Sequence, residues 1–598
     1  MNSLGKAVSA GLLVLPLFFI SHLHAQTDLS GEWAGRIHED QPYRGPGAEI
    51  GEYLGLPIND AARMKADSWD AAVFTLPERQ CIPFAVDHGL TIGNLRIVKE
   101  VDPETQEVIA WHVHAEYQAQ DRTIWMDGRP HPPAWAPHTW QGFSTGRWEG
   151  PVLTVETTHM KMAQVERNGV PRSDLGTLTE HFIRNGDILT IVQIIADPIY
   201  LTEPFIRSRN YVFAPAQTMG GYPCRPAVEI RNRPAGSVPH HLPGTNPFLK
   251  NATIRFNVPE EAARGGADTE YPEYQRKLHG ETMPRVSLSP NPPVDRQQSP
   301  SDDNVHVTKV QGDLYMLATA GGNVAVQAGK EAVLVVDTLE PAYSTKVIAA
   351  IRGISTKPIR YIINTHVHAD STGGNETIGK AGRSIGANGI DGLKILGDQA
   401  AQGAGIIAHE NVYLRMSATT GATAVPSDAW PTETYAANSD ELVLNGEAIQ
   451  IFHEPAAHTD GDSIVFFRRS DVIAAGGLFS TESFPIIDRQ NGGHINGIIA
   501  GLNHIIDLTV PGEHQEGGTY VIPGHGRLSD EADVVEYRDM LTIIRDRVQD
   551  MISKGLTLAQ VKGAHPALDY EGRYGASAGP WTTDMFLDAI YAGFIEKK

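Results

Sequence analysis

The segment Thr365-His366-Val-His368-Ala-Asp370-Ser371 places two imidazoles and a carboxylate at alternate positions, directly after the apolar run Ile359-Arg-Tyr-Ile-Ile-Asn-Thr365. That run reads as a strand. At a strand end, residues i and i+2 face the same way, so His366 and His368 can grip one ion; Asp370 joins them if the extended geometry persists. Neutral imidazole suits zinc, which in catalytic sites takes three protein ligands and a water. A carboxylate beside it can orient or deprotonate that water, or bind a second ion. Two further histidines sit in glycine-rich turns beside β-type runs, in Pro455-Ala-Ala-His458-Thr-Asp460-Gly-Asp462 and in Pro523-Gly-His525-Gly526. Taken singly, each reads as a structural or surface residue.

The ordered set HxHxD, HTDGD and PGHG resembles the metallo-β-lactamase superfamily across residues 305 to about 530. Asn375, a helix expected at 400–412 around Ala408-His409-Glu410, and Gly492-Gly493 fit the same background. The resemblance implies an αββα sandwich with metals at the sheet edge. His366, His368 and His458 would form a first zinc site, and Asp370 and His525 would belong to a second. The sequence departs from the family pattern twice. Ser371 stands where a histidine is usual, and Ala475-Gly476-Gly477 ends in glycine where the family places a carboxylate bridging both metals. The second site is left with two ligands, too few to hold zinc tightly. One tight Zn2+ is the expectation, with Asp370 and His525 as catalytic groups. Restoring both positions with Gly477→Asp and Ser371→His should then restore the second ion. His494, Glu482 and Asp488 are candidates for a shifted replacement ligand, and Asp460 and Asp462 for carboxylates that orient imidazoles.

The function this implies is a zinc-dependent hydrolase acting on an ester, lactone, lactam or related bond in a small-molecule substrate. The alternative is a binding or scaffold protein built on a decayed enzyme, because both departures damage the same metal site. A mononuclear iron oxygenase of this fold needs the carboxylate that Gly477 replaces. A second HxH, His112 and His114, has no third ligand at family-like spacing and reads as packing or surface, as do Asp127, His131, His138 and His159.

The elements that must position these groups lie in a chain of 598 residues, long enough for two or three domains. Its formal charge of −22 disfavours nucleic acid and anionic membranes as partners. Residues 1–25 read as a signal peptide: Lys6, the apolar run Gly11 to Ile20, then small Ala25 before Gln26. The run is too short to span a bilayer, so a periplasmic or secreted protein with no integral membrane span is expected. Cys81 and Cys224 could then form one disulfide, and they offer no cysteine-based zinc site.

Residues 28–230 are β-rich, with alternating runs at Leu90-Thr-Ile92, 108–114 and 152–158, and a hairpin signal at Arg184-Asn-Gly-Asp187. A barrel or sandwich is expected there, lipocalin-like from Gly31-Glu-Trp33 and Gly146-Arg-Trp148, with room for a small apolar ligand. Residues 231–304 are proline-rich and read as an extended connector. Residues 305–530 give the strand–helix–strand order of the α/β domain, with inserts at 382–398 and 417–440 shaping its pocket. Residues 531–598 form a helical extension. Its apolar face is Val534, Tyr537, Leu541, Ile544, Val548 and Met551, Gly555 ends the helix, and Thr557 to Gln560 make a capping box.

Overall fold

A computed structural model describes residues 27–596 except 37–46, 90–92, 117–119, 222–223, 226–233, 235, 279–295, 384–402, 419, 422–423, 513 and 516. The expected signal segment, the run at 90–92, and parts of the connector and the first insert lie outside the described residues.

The N-terminal unit is a closed barrel of nine strands from Gly31–Gly35 to Phe205–Phe213, each paired with its neighbour in sequence and the last with the first. The expected hairpin joins Thr177–Asn185 to Ile188–Ala196. The barrel departs from a lipocalin, which has eight strands. Gln120–Trp125 and Phe143–Glu149 run parallel because residues 126–142 leave the barrel between them. Among the described residues, side chains pack the interior. Trp33, Trp111, Phe182 and Tyr211 pack there, and Arg122 pairs with Glu180 at 2.5 Å, both buried. Ser144 and Thr157 accept from Arg122 Nε and Nη2, and Gln193 donates to Glu180, which offsets part of the cost of burying the pair.

The C-terminal unit stacks two sheets. The first has seven strands, Leu314–Thr319 and its neighbours meandering antiparallel before Val333–Val336, Ile359–Ile363, Gly405–His409 and Glu433–Tyr435 run parallel. The second has six, including Asp462–Phe467, Val472–Ser480 and Tyr520–His525. Leu334, Ile363, Ile451, Val465 and Phe467 form the layer between them. Helix Ser344–Ile354 covers the outer face of the first sheet, and helices Ile495–Leu508 and Glu531–Ser553 that of the second. This is the expected αββα order.

Glu531–Ser553 buries the predicted face, Val534, Tyr537, Leu541, Ile544 and Val548. Gly555 follows at φ +80°, the left-handed geometry that ends helices, and Thr557 and Gln560 make the reciprocal capping box. The connector is not simply extended: it carries short helices at Asn251–Phe256, Glu260–Ala263 and Pro272–Leu278. The helix expected at 400–412 is in fact the strand Gly405–His409 followed by the helix Glu410–Ala418. Its apolar run is buried on both faces in the parallel part of the sheet, where periodicity cannot tell strand from helix.

Barrel and sandwich are joined by buried charge. Asp174 of the barrel receives Arg573 at 2.7 and 3.0 Å, and Lys161 meets Asp530 and Asp533 at 2.7 and 3.0 Å. Cys81 and Cys224 form the disulfide, with their Cα atoms 5.4 Å apart.

Candidate metal centre

His366, His368 and Asp370 follow strand Ile359–Ile363, but the chain does not stay extended. It turns at once, and Asp370 lies in the first turn of the short helix Ala369–Thr372. His458 comes from the turn before strand Asp462–Phe467, and His525 ends strand Tyr520–His525. The fold brings the five predicted residues together. The rings of His366, His368 and His458 lie edge to face with centroids 4.7 to 5.1 Å apart. One ligating atom from each falls within 4.8 Å of the others. Asp370 sits between His366 Nε2 at 3.3 Å and His525 Nε2 at 3.2 Å.

His366 and His368 each have one nitrogen hydrogen-bonded to the protein, and His458 has one facing a carboxylate. Thr365 Oγ1 donates its only proton to Asp337 Oδ2 at 2.8 Å, so at 2.9 Å it must accept from His366 Nδ1. That leaves Nε2, which is buried and faces Asp370 Oδ1 at 3.3 Å. His368 Nε2 donates to Asp488 Oδ2 at 2.8 Å, leaving Nδ1. His458 Nδ1 faces Asp462 Oδ1 at 3.5 Å, leaving Nε2. Carboxylates placed this way fix tautomer and ring orientation in metal sites.

The charges follow from the same contacts. Burial alone would raise Asp370, but His366 and His525 hold it far below the usual carboxylate range. Burial works against charge on His366, and Asp370 overcomes it, raising the imidazole to about 9. His525 is raised likewise, Asp370 outweighing burial. His458 is lowered, chiefly by burial, and stays neutral. Asp488 is lowered by His368 and Asn491 against the opposing effect of burial.

Both family departures are built into this arrangement. Ser371 is fully buried, and its hydroxyl donates to Asp337 rather than facing the triad. Gly477 has the ring of His458 against it: a Cβ there would lie 2.4 Å from Nδ1 and 2.8 Å from Cε1. The shifted-ligand candidates resolve differently. His494 caps helix Ile495–Leu508, accepting from Asn496 N at 3.0 Å, while its Nε2 meets Gly593 O. Glu482 is taken up by the backbone of Gln298 and Ser299, tying the connector to the sandwich. Asp488 supports His368 instead of a second site. Of the two turn aspartates, Asp462 accepts from Thr459, and Asp460 forms a two-pronged pair with Arg415. His112 and His114 lie on the outer barrel wall against Glu100 and Asp121.

Sequence reasoning missed Asp337, which supports Thr365 and Ser371 from the end of strand Val333–Val336. Burial raises its carboxyl to about 6, against the opposing pull of His366 and its hydrogen-bond donors. Its signal was the aspartate closing an apolar strand, a position that faces the site in layered α/β folds.

Residues 319–501 match the family described as the metallo-beta-lactamase superfamily. None of the curated proteins matches. Among solved structures, the chain is similar to the stereoselective inverting sec-alkylsulfatase Pisa1 from Pseudomonas sp., at 15% identity over 49% of this chain and 50% of that one, with a TM-score of 0.35. It spans about half the length of that relative. It is also similar to the DIM-1 metallo-beta-lactamase, at 21% identity over 40% of this chain and 97% of that one, TM-score 0.29. A metallo-beta-lactamase from Pontibacter korlensis shows 14% identity over 40% and 99%, TM-score 0.28.

Proposed function

We propose that the protein is a one-zinc hydrolase, exported to the periplasm or beyond, that cleaves an ester, lactone, lactam or related bond in a small molecule. The observation that carries this reading is the triad: three converging imidazoles, each with its second nitrogen facing a fixed protein partner. That donor set fits zinc. His366, His368 and His458 would hold the ion, which would make a water acidic enough to attack near neutral pH and would polarise the acyl oxygen. Asp370 is placed to orient the attacking water and take its proton. His525, partly exposed and shifted toward its charged form by Asp370, would stabilise negative charge or return the proton to the leaving group. Asp370 and His525 alone are too few for a second tight ion. The Cys81–Cys224 disulfide supports an oxidising compartment. Screening the zinc-loaded protein against aryl esters, lactones and β-lactams tests the reading: turnover of one class that vanishes on chelation is expected, and no turnover of any class would count against it.

Two further results are expected at this site. Asp488→Asn should leave the fold intact and weaken zinc binding by about ten- to a hundredfold, read by competition with a chromophoric chelator, because His368 loses its orienting carboxylate. Zinc uptake should also release a proton. His366 is charged below about 9, and only the neutral ring can bind, so affinity should rise with pH up to about 9, by as much as about tenfold per unit. Calorimetry in buffers of differing ionisation enthalpy reads that proton directly; uptake with no release near pH 7.5 would contradict the assignment of His366.

A further inference from the structure

A cavity of about 720 Å³ lies away from the triad, where the barrel's helix Asp60–Ser68, the turns around the disulfide and helix Glu531–Ser553 meet. None of the five site residues lines it. Its volume falls within the range of small-molecule sites, which favour such domain junctions. Trp69, Phe74, Phe84 and Trp140 make its wall largely apolar and aromatic.

The polar groups on that wall are unevenly matched. Lys65 Nζ has only the Met162 sulfur at 3.5 Å and the face of Tyr570 at 4.4 Å, and no carboxylate among the described residues pairs with it. Trp69 Nε1 is enclosed with no hydrogen-bond partner, and so is Arg79 Nε. The carboxylates on the wall have other partners: Glu536 and Asp539 each take one of Arg79's terminal nitrogens at 2.5 Å, Asp70 accepts from Ala72 N at 2.9 Å, and Glu49 pairs with Arg255. Lys65 Nζ, Trp69 Nε1 and Arg79 Nε are all N–H donors, two of them on cationic side chains. Enclosed donors left unpaired are costly, and a charged one the more so. Burial lowers Lys65, with Arg79 adding to it against the pull of Glu536 and Asp569.

We propose that this cavity is a second ligand site, which takes an apolar molecule bearing one carboxylate. The carboxylate meets Lys65 and the enclosed N–H groups, and the apolar body lies among the aromatic rings. An ionised acceptor on such donors forms the stronger, charge-assisted kind of hydrogen bond, whereas a neutral apolar ligand of the same length would leave them unpaired.

Calorimetric titration of the full-length protein with decanoate, 2-naphthoate and the neutral analogue decan-1-ol tests this. Expected is saturable binding of at least one carboxylate, one per chain and at least about tenfold tighter than decanol. It should persist in the His366→Ala/His458→Ala variant and weaken at least about tenfold in Lys65→Met, with the melting temperature of each variant showing that it folds. Should Lys65→Met not fold, the carboxylate-to-alcohol ratio on the unaltered protein still decides. The proposal is overturned if neither carboxylate binds, if decanol binds equally well, if a folded Lys65→Met binds as before, or if the triad variant loses the ligand. The last result would place binding at the metal centre and leave the hydrolase reading standing.

Discussion

His366→Ala combined with His458→Ala is expected to abolish zinc retention and turnover together while leaving the folded protein in place. Both rings are buried and both contribute a nitrogen to the triad. With His368 alone, an ion keeps one of three ligands, and zinc sites rarely hold with fewer than three. The loss should be at least about a thousandfold in affinity, since each imidazole supplies a substantial share of the binding energy. Truncating two buried rings also leaves a cavity, so about 2–5 kcal/mol of stability should go as well. Circular dichroism and the melting temperature separate the two effects. A variant that folds, binds no zinc and keeps full turnover would remove the metal from the mechanism.

Gly477→Ala is the smaller change with nearly as large an expected effect. The backbone at Gly477 does not need glycine's left-handed freedom; the constraint is space. A Cβ at 2.4 Å from His458 Nδ1 cannot coexist with the ring where it stands. The main chain is held in strand Val472–Ser480, so the ring must give way, taking the third nitrogen of the triad with it. A fall in zinc affinity of about a hundredfold or more is expected, read by chelator competition. The same geometry corrects an expectation drawn from the family pattern. Gly477→Asp with Ser371→His does not simply restore a second ion. The aspartate would start from the same clash, and a histidine at 371 would have to fit a fully buried position whose hydroxyl now serves Asp337. Both positions have a part in this arrangement. Ser371 supports the carboxylate that sets the His366 tautomer through Thr365, and Gly477 makes room for His458.

The candidate metal-centre residues were legible because their spacing is local. HxH after a strand, and histidines in two glycine-rich turns, survive as patterns whatever the surrounding sequence does. What Gly477 is for was not legible, since it depends on a ring nineteen residues away in the chain and in contact only through the fold. Asp488 could be singled out as a carboxylate at plausible distance, but sequence could not tell an ion's ligand from a histidine's support. The barrel was readable from its alternating strands and the Asn-Gly turn. Its parallel pair was not, because residues 126–142 carry no regular pattern that says where they go; they reach the sandwich, where Trp135 packs against the inter-sheet core. His494 shows the opposite failure, a histidine near a metal centre whose work is to cap a helix.

The central claim is a single zinc held by His366, His368 and His458, and metal content per chain tests it most directly. Elemental analysis of the purified full-length protein, after dialysis against a weak chelator, should find about one zinc per chain, falling to none in His366→Ala/His458→Ala. Two tightly held ions would mean that Asp370 and His525 have a further ligand partner. No ion even after zinc is supplied would contradict the account.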